Sequence, residues 1–176
     1  MISLSDIFEI QLEKLKNQLN CPEVIIEILR SKREQVLTIA ENINLSKNVI
    51  KFLPVIPVRY MHINTLMRML SYDDNWLLRI TRLGASWIDI KNINDLIETP
   101  DIPYYIIDIK SGKATIDEVF VKDKELAIGQ NRSYLTIAES IALCAHYNIL
   151  SKHHFIRVAG SRFKDEDKDI CIKTVK

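Results

Sequence analysis

The sequence predicts an α+β fold, with helices first and then a small, mainly antiparallel sheet that contains one embedded helix. Apolar residues recur every three or four positions between residues 4 and 41, which is typical of amphipathic helices. After Pro100, and again near the C terminus, β-branched and aromatic residues dominate instead. Between these β-rich parts, Leu135–Arg162 opens with a helix-start signal. We therefore predict an N-terminal helical hairpin region at 1–52 and an α+β domain at 53–176, packed as one compact unit.

The N-terminal region is predicted to contain two long helices. The apolar positions of the first recur at helical spacing, and Ser3 or Ser5 could cap it. Pro22 suits the first turn of a second helix that runs to about Glu41. A charged segment at 31–35 interrupts the apolar stripe of this second helix, so we expect its middle to be exposed or bent. Two interpretations stay open: a hairpin packed on the rest of the chain, or an arm that forms a homodimer through these N-terminal helices.

Prolines mark the start of the second region. Pro54 and Pro57 disfavour α conformation in the residues before them, which predicts an extended connector at 53–58. A short helix is predicted at 63–70. We also predict a helix from Asp73 to Gly84, since carboxylates complement a helix N terminus and the apolar residues would share one face: Trp76, Leu77, Ile80 and Leu83.

The remaining elements are mostly extended. Tyr104 begins a β-rich segment to residue 109, a turn signal follows at 111–113, and a further extended segment is expected from Ala114. Thr136 and Glu139 have the spacing of a capping box, which predicts a helix start. The segments 154–159 and 169–175 flank a polar loop at 164–168, and we predict that they form an antiparallel hairpin.

Composition and charge narrow the functional classes. The 176 residues are 47% hydrophobic and 27% charged, as in ordinary globular domains. The net charge of +1 supplies no long-range field for nucleic acid or anionic lipid, so neither is the expected partner. The three cysteines, Cys21, Cys144 and Cys171, are distant and odd in number, which argues against disulfides and thiolate zinc sites. Neither a signal peptide nor a membrane span is recognisable, and a cytoplasmic location is predicted.

Motifs for catalysis, metals and cofactors are absent from the sequence. Glu139 already has a role in the capping box, and it lies roughly 10 Å along the helix from His146. Cys144 and His146 diverge on a helix and cannot form a dyad. His153 and His154 precede a strand and would face opposite sides of it. The four glycines form no phosphate-binding pattern. We therefore expect no metal and no cofactor.

Six residues remain as binding candidates. Arg59, Tyr60 and His62 follow the proline connector, where cationic and aromatic side chains suit a binding surface. The others are His146 and the pair Ser161 and Arg162, which we predict in an anion-friendly turn after a strand.

The leading hypothesis is a non-enzymatic domain that binds a protein partner through the surface near Arg59, His146 and Arg162. The alternative is an enzyme that acts on a small anionic substrate, with His146 as general base and the arginines holding the anion. If these side chains line one pocket, the enzyme is favoured; if they scatter, the binding domain is favoured.

Three segments resemble an uncharacterised bacterial domain-of-unknown-function family. The first is PVIPVRY at 54–60, similar to the family's VIPxRY segment. The second is the β-rich segment 104–115, and the third is 135–162, with its LTxxExxAL helix and a histidine. The third ends in FIRVAGSR, which is similar to the family's FxxxGSR segment and one residue longer before the glycine. The family has a cysteine after the serine–arginine pair, where this chain has Phe163, and a tryptophan- and glycine-rich tail, whereas this sequence ends at Lys176. The resemblance implies an ordered domain and carries no assigned activity.

Overall fold

The computed structural model describes residues 2–43, 49–67, 71–73, 76–82, 93–110, 132–147, 155–163 and 166–175. Its helices are α1 (Leu4–Leu19), α2 (Glu23–Arg30), α3 (Arg33–Glu41), α4 (Ile63–Met67) and α5 (Ile137–His146). Its strands are β1 (Val49–Val55), β2 (Ser71–Asp73), β3 (Trp76–Arg82), β4 (Ile93–Asp95), β5 (Tyr104–Lys110), β6 (Phe155–Phe163) and β7 (Glu166–Val175). The predicted α+β class, with helices preceding antiparallel sheets, is confirmed.

The N-terminal helices begin and end where local chemistry dictates. Ser3 caps α1, and the helix ends at Asn20, which adopts the left-handed conformation that asparagine tolerates (φ 47°). The predicted second helix is two helices, because the chain leaves helical geometry at Lys32 (φ −90°, ψ 0°). The Ser31 hydroxyl donates to the Ile28 carbonyl at 2.8 Å, which satisfies an acceptor at the end of α2. The charged interruption therefore marks a break between helices.

Strand β1 passes through the centre of the molecule. It pairs antiparallel with β5, from Val49 opposite Lys110 to Val55 opposite Tyr104. The extended backbone predicted at 53–58 thus belongs partly to a paired strand, and β1 crosses the predicted boundary at residue 52. Side chains on its two faces enter two different apolar clusters, with Phe52 in one and Leu53 in the other. The last four residues of β1, Phe52–Val55, are buried and apolar, as a segment covered on both faces requires.

The second sheet has five antiparallel strands in the order β2-β3-β7-β6-β4. The helix predicted from Asp73 to Gly84 is wrong: residues 71–73 and 76–82 are β2 and β3. Strand β3 lies between β2 and β7, with Leu77 opposite Val175 and Arg82 opposite Ile170. The apolar spacing at 76, 77 and 80 fits a helix as well as a strand, and pairing with a distant strand decides between them.

The C-terminal hairpin is present but longer than predicted. Strand β6 extends to Phe163 and β7 begins at Glu166, so the strands take up most of the predicted loop at 164–168. Gly160, Ser161 and Arg162 therefore lie within β6, and the predicted turn at these residues is wrong. The predicted turn at 111–113, the extended segment from 114 and the residues His153 and His154 lie outside the described ranges.

Helix α5 packs against one strand from each sheet, β1 and β6, and against α4. Ile137, Ile141 and Ala145 recur at i+4 and belong to the larger apolar cluster, which includes side chains of α1, α2 and α3. Ala138, Ala142 and Leu143 belong to the second cluster, beside β1 and β5. Because α5 is enclosed by apolar side chains, its polar groups must find partners inside the protein. Within the described ranges, the helices are too short or too polar to cross a membrane.

Candidate functional site

The N-terminal end of α5 is surrounded by buried polar side chains. The predicted capping box is confirmed: the Glu139 carboxylate accepts from the Thr136 N–H at 2.7 Å, and Thr136 Oγ1 accepts from the Glu139 N–H at 3.5 Å. The hydroxyl of Tyr104, the first residue of β5, donates to the other carboxylate oxygen at 2.9 Å. Both Thr136 and Glu139 are buried. Glu139 therefore joins the cap of α5 to β5 of the two-stranded sheet.

Ser161 continues this polar group from strand β6. Its Oγ accepts from the Ile137 N–H at 2.8 Å, so it satisfies one of the free donors in the first turn of α5. The same hydroxyl donates to Asp95 Oδ1, at 2.5 Å. Most of Asp95 is exposed to solvent, but its carboxyl group is directed towards Ser161. Partial burial of this carboxyl group raises its pKa. We call the residues Asp95, Tyr104, Thr136, Glu139 and Ser161 the N-terminal cluster.

Gly160 holds β6 against the start of α5. Its N–H donates to the Leu135 carbonyl at 3.0 Å, and a Cβ at this position would lie 2.6 Å from that same oxygen. Only glycine permits such an approach of two backbones. The Gly160 carbonyl accepts from the Leu96 N–H at 2.8 Å, so the loop at 96–103 is anchored to the same strand.

The C-terminal end of α5 has a different polar environment. His146 is the last residue of the helix, and its Nε2 is buried without a hydrogen-bond partner. Burial, together with the nearby positive charge of Lys14, lowers the pKa of His146 to about 3, so the ring is neutral at neutral pH. Gln11 of α1 donates to the Tyr147 hydroxyl at 3.2 Å and to the Phe52 carbonyl at 3.3 Å, but its Oε1 has no partner.

The cysteine beside this histidine is not activated. Burial raises the pKa of the Cys144 thiol to about 12, so the thiolate is absent at neutral pH. Cys144 therefore packs against the larger apolar cluster and is not activated as a nucleophile.

A third group of residues forms an exposed patch beyond the end of β1. Arg59 forms an ion pair with Asp101, with 2.6 Å between Nη1 and Oδ1, and its guanidinium lies 5.7 Å from the centre of the Tyr60 ring. Val58, Tyr60 and Ile102, next to these two charged residues in the sequence, are 37%, 40% and 45% exposed. We call Val58, Arg59, Tyr60, Asp101 and Ile102 the Arg59 patch.

The six candidate residues fall in separate places. Arg59 and Tyr60 are together in the Arg59 patch, and His62 is exposed beside it, where its Nδ1 accepts from the Asn64 N–H at 3.3 Å. Ser161 belongs to the N-terminal cluster. The Arg162 guanidinium donates to carbonyls of its own strand, those of Val158 and Ser161, at 3.4 and 3.1 Å.

His146 is distant from Ser161. It lies nine residues along α5 from Ile137, which contacts Ser161, and nine helical residues span about 14 Å. A small apolar cavity is present between α1, β1, α4 and α5, and none of the six candidates lines it. The two ends of α5 therefore separate His146 from Ser161, so these two candidates do not share one site.

Several residues of these sites were not predicted. Asp95 and Tyr104 reach Ser161 and Glu139 across large sequence separations, and no local pattern indicates such pairs. Asp101 and Ile102 lie between Pro100 and Pro103. An isoleucine in a short segment between two prolines is the sequence signal that could have pointed to them, and in the structure this isoleucine is exposed. Gln11 is buried on the apolar face of α1, where a polar residue in a leucine pattern is itself a signal.

No protein-family model, no curated protein and no solved structure matches this chain. The resemblance to the bacterial family therefore stays a prediction. Among the described residues, no three histidine, cysteine, aspartate or glutamate side chains are grouped as a metal ion would require.

Proposed function

We propose that this protein is a non-enzymatic interaction domain that binds a protein partner through the Arg59 patch. The observation that carries the proposal is the grouping of exposed apolar side chains around an exposed ion pair. Tyrosine and arginine are enriched among the residues that dominate binding energy in protein interfaces. An apolar patch with a polar component on a folded domain is a common mark of such an interface.

The arrangement of the other candidates supports binding over catalysis. Ser161 is fully buried and its hydroxyl already accepts from α5 and donates to Asp95. His146 has its Nε2 buried, at the other end of the same helix. A general base must reach a substrate proton, directly or through one water molecule. The Arg59 patch, in contrast, is accessible.

Site-specific photo-crosslinking in the source cells tests this proposal. A photoreactive phenylalanine analogue replaces Tyr60 in one variant and Ile39 in the control, since Ile39 is 42% exposed on α3. We expect a discrete crosslinked species from position 60, lost on Arg59→Asp, and none from position 39. Equal labelling from both positions, or none from position 60, would contradict the proposal. Circular dichroism checks that all variants are folded.

A further inference from the structure

The Arg59 patch contains charges of both signs side by side. The Arg59 and Asp101 side chains are 47% and 82% exposed, and their contact joins one guanidinium nitrogen to one carboxylate oxygen. A guanidinium has five N–H donors and a carboxylate has two acceptor oxygens, so both groups can form further charge-assisted hydrogen bonds. The patch therefore offers a donor and an acceptor of full charge beside apolar side chains.

Such a surface is complementary to itself. In a two-fold symmetric dimer the same patch contributes from both copies, so that residue i meets residue j and residue j meets residue i. Arg59 of each copy would meet Asp101 of the other, giving four charges of alternating sign. Val58, Tyr60 and Ile102 would bury their exposed apolar area against the same side chains of the second copy. The net charge of +1 per chain adds little repulsion.

We propose that the partner of the Arg59 patch is a second copy of this chain, related by a two-fold axis through the patch. This inference rests on the function proposed above and specifies its partner. The interface of this homodimer would be the Arg59 patch, and not the N-terminal helices, for which a dimerisation arm is one of two open interpretations of the sequence.

Charge reversal in the full chain, followed by sedimentation equilibrium, tests the inference. The unmodified chain should dimerise at concentrations up to roughly 100 µM, the range in which weak specific dimers are populated. Arg59→Asp and Asp101→Arg should each weaken the dimer by about tenfold or more, because like charges then face each other across the axis. Lys16→Glu is the control, since Lys16 forms another exposed ion pair, with Glu23 at 2.9 Å, whose side chains are 55% and 52% exposed. It should leave dimerisation unchanged.

Mixing the two single variants separates the interface from local folding. Each variant alone has lost its internal ion pair. In a one-to-one mixture, however, the acidic pair of one variant meets the basic pair of the other across the axis. We expect a heterodimer from two proteins that are each monomeric.

Two outcomes would overturn the self-association: an unmodified chain that is monomeric throughout the concentration range, or a mixture that stays monomeric. If the chain is monomeric while the crosslinker at position 60 still captures another polypeptide, the self-association fails and the proposed function stands. If that crosslink is absent too, both fail.

Discussion

The two ends of α5 differ in how well their buried polar groups are hydrogen-bonded. At the start of the helix, Thr136 and Glu139 are joined by reciprocal hydrogen bonds, and Glu139 also accepts from the Tyr104 hydroxyl. Ser161 accepts from the Ile137 N–H, and the Ser140 hydroxyl at this end of the helix is left without a partner among the described residues. At the end, Nε2 of His146 and Oε1 of Gln11 are both buried without partners. A buried polar group without a partner costs about 1–3 kcal/mol. The hydrogen bonds at the start of α5 thus stabilise the fold, whereas the unpartnered groups at its end lower the stability.

The comparison predicts the largest stability loss at Glu139. Glu139→Ala removes the acceptor of three buried donors, the Thr136 N–H, the Thr136 hydroxyl and the Tyr104 hydroxyl, so we expect a loss of about 4 kcal/mol in the free energy of unfolding. Urea denaturation measures this loss.

The same motif at α1 provides the control. Asp6 closes a capping box with Ser3, but this box is exposed to solvent. Asp6→Ala should therefore cost clearly less than Glu139→Ala, because water can replace the lost acceptor. Equal losses from the two variants would mean that burial of the N-terminal cluster adds nothing to the cap.

A second large loss is expected at Gly160. Gly160→Ala would place a methyl group 2.6 Å from the Leu135 carbonyl oxygen and 2.8 Å from the Thr136 nitrogen, both of them backbone atoms. Relief of this overlap must move β6 away from the capped helix start, which we expect to cost about 3 kcal/mol. Ala159→Gly, the reverse exchange one position away, should cost no more than about 1 kcal/mol. Thermal and urea unfolding compare the two, and a neutral Gly160→Ala would contradict the tight approach.

These residues also show how far the sequence could predict the site. The capping box of Thr136 and Glu139 is readable because both partners lie within one helical turn. The role of Gly160 and Ser161 is not, because it depends on backbone atoms of Leu135 and Ile137 about 24 residues earlier. A glycine followed by serine is typical of a turn, and that local signal misled the prediction.

The elements of the fold also divide into those set by local sequence and those set by distant contacts. The helices at 4–19 and 137–146 follow from local periodicity and caps. Strand β3 does not, since its apolar spacing fits two structures and its neighbour β7 lies about ninety residues away along the chain. Tyr104 was predicted to begin a strand, but its hydrogen bond with Glu139 depends on the packing of β5 against α5.

The smallest of the three effects concerns the end of α5 and depends on pH. The pKa of His146 is lowered from 6.5 to about 3 in the folded protein, mainly by burial and then by the charge of Lys14. Between these two values the unfolded chain binds a proton that the folded chain does not, so protonation favours unfolding. The contribution of the neutral His146 ring to stability is therefore fully present well above pH 6.5, and it decreases as the pH falls from 6.5 towards 3. At pH 5 the loss amounts to about 2 kcal/mol.

Replacing the ring by an apolar side chain should remove this dependence. His146→Leu eliminates the titrating group and the unpartnered Nε2, so we expect stability near pH 7 to be retained and its decrease between pH 6.5 and 5 to be smaller by about 2 kcal/mol. His62→Leu removes an exposed imidazole and tests whether the loss of any histidine has the same effect. If urea denaturation at pH 5 and pH 7 gives the same difference for His146→Leu as for the unmodified chain, His146 binds its proton equally well folded and unfolded. The end of α5 would then be as well solvated as the surface, and the contrast between its two ends would have to rest on Gln11 alone.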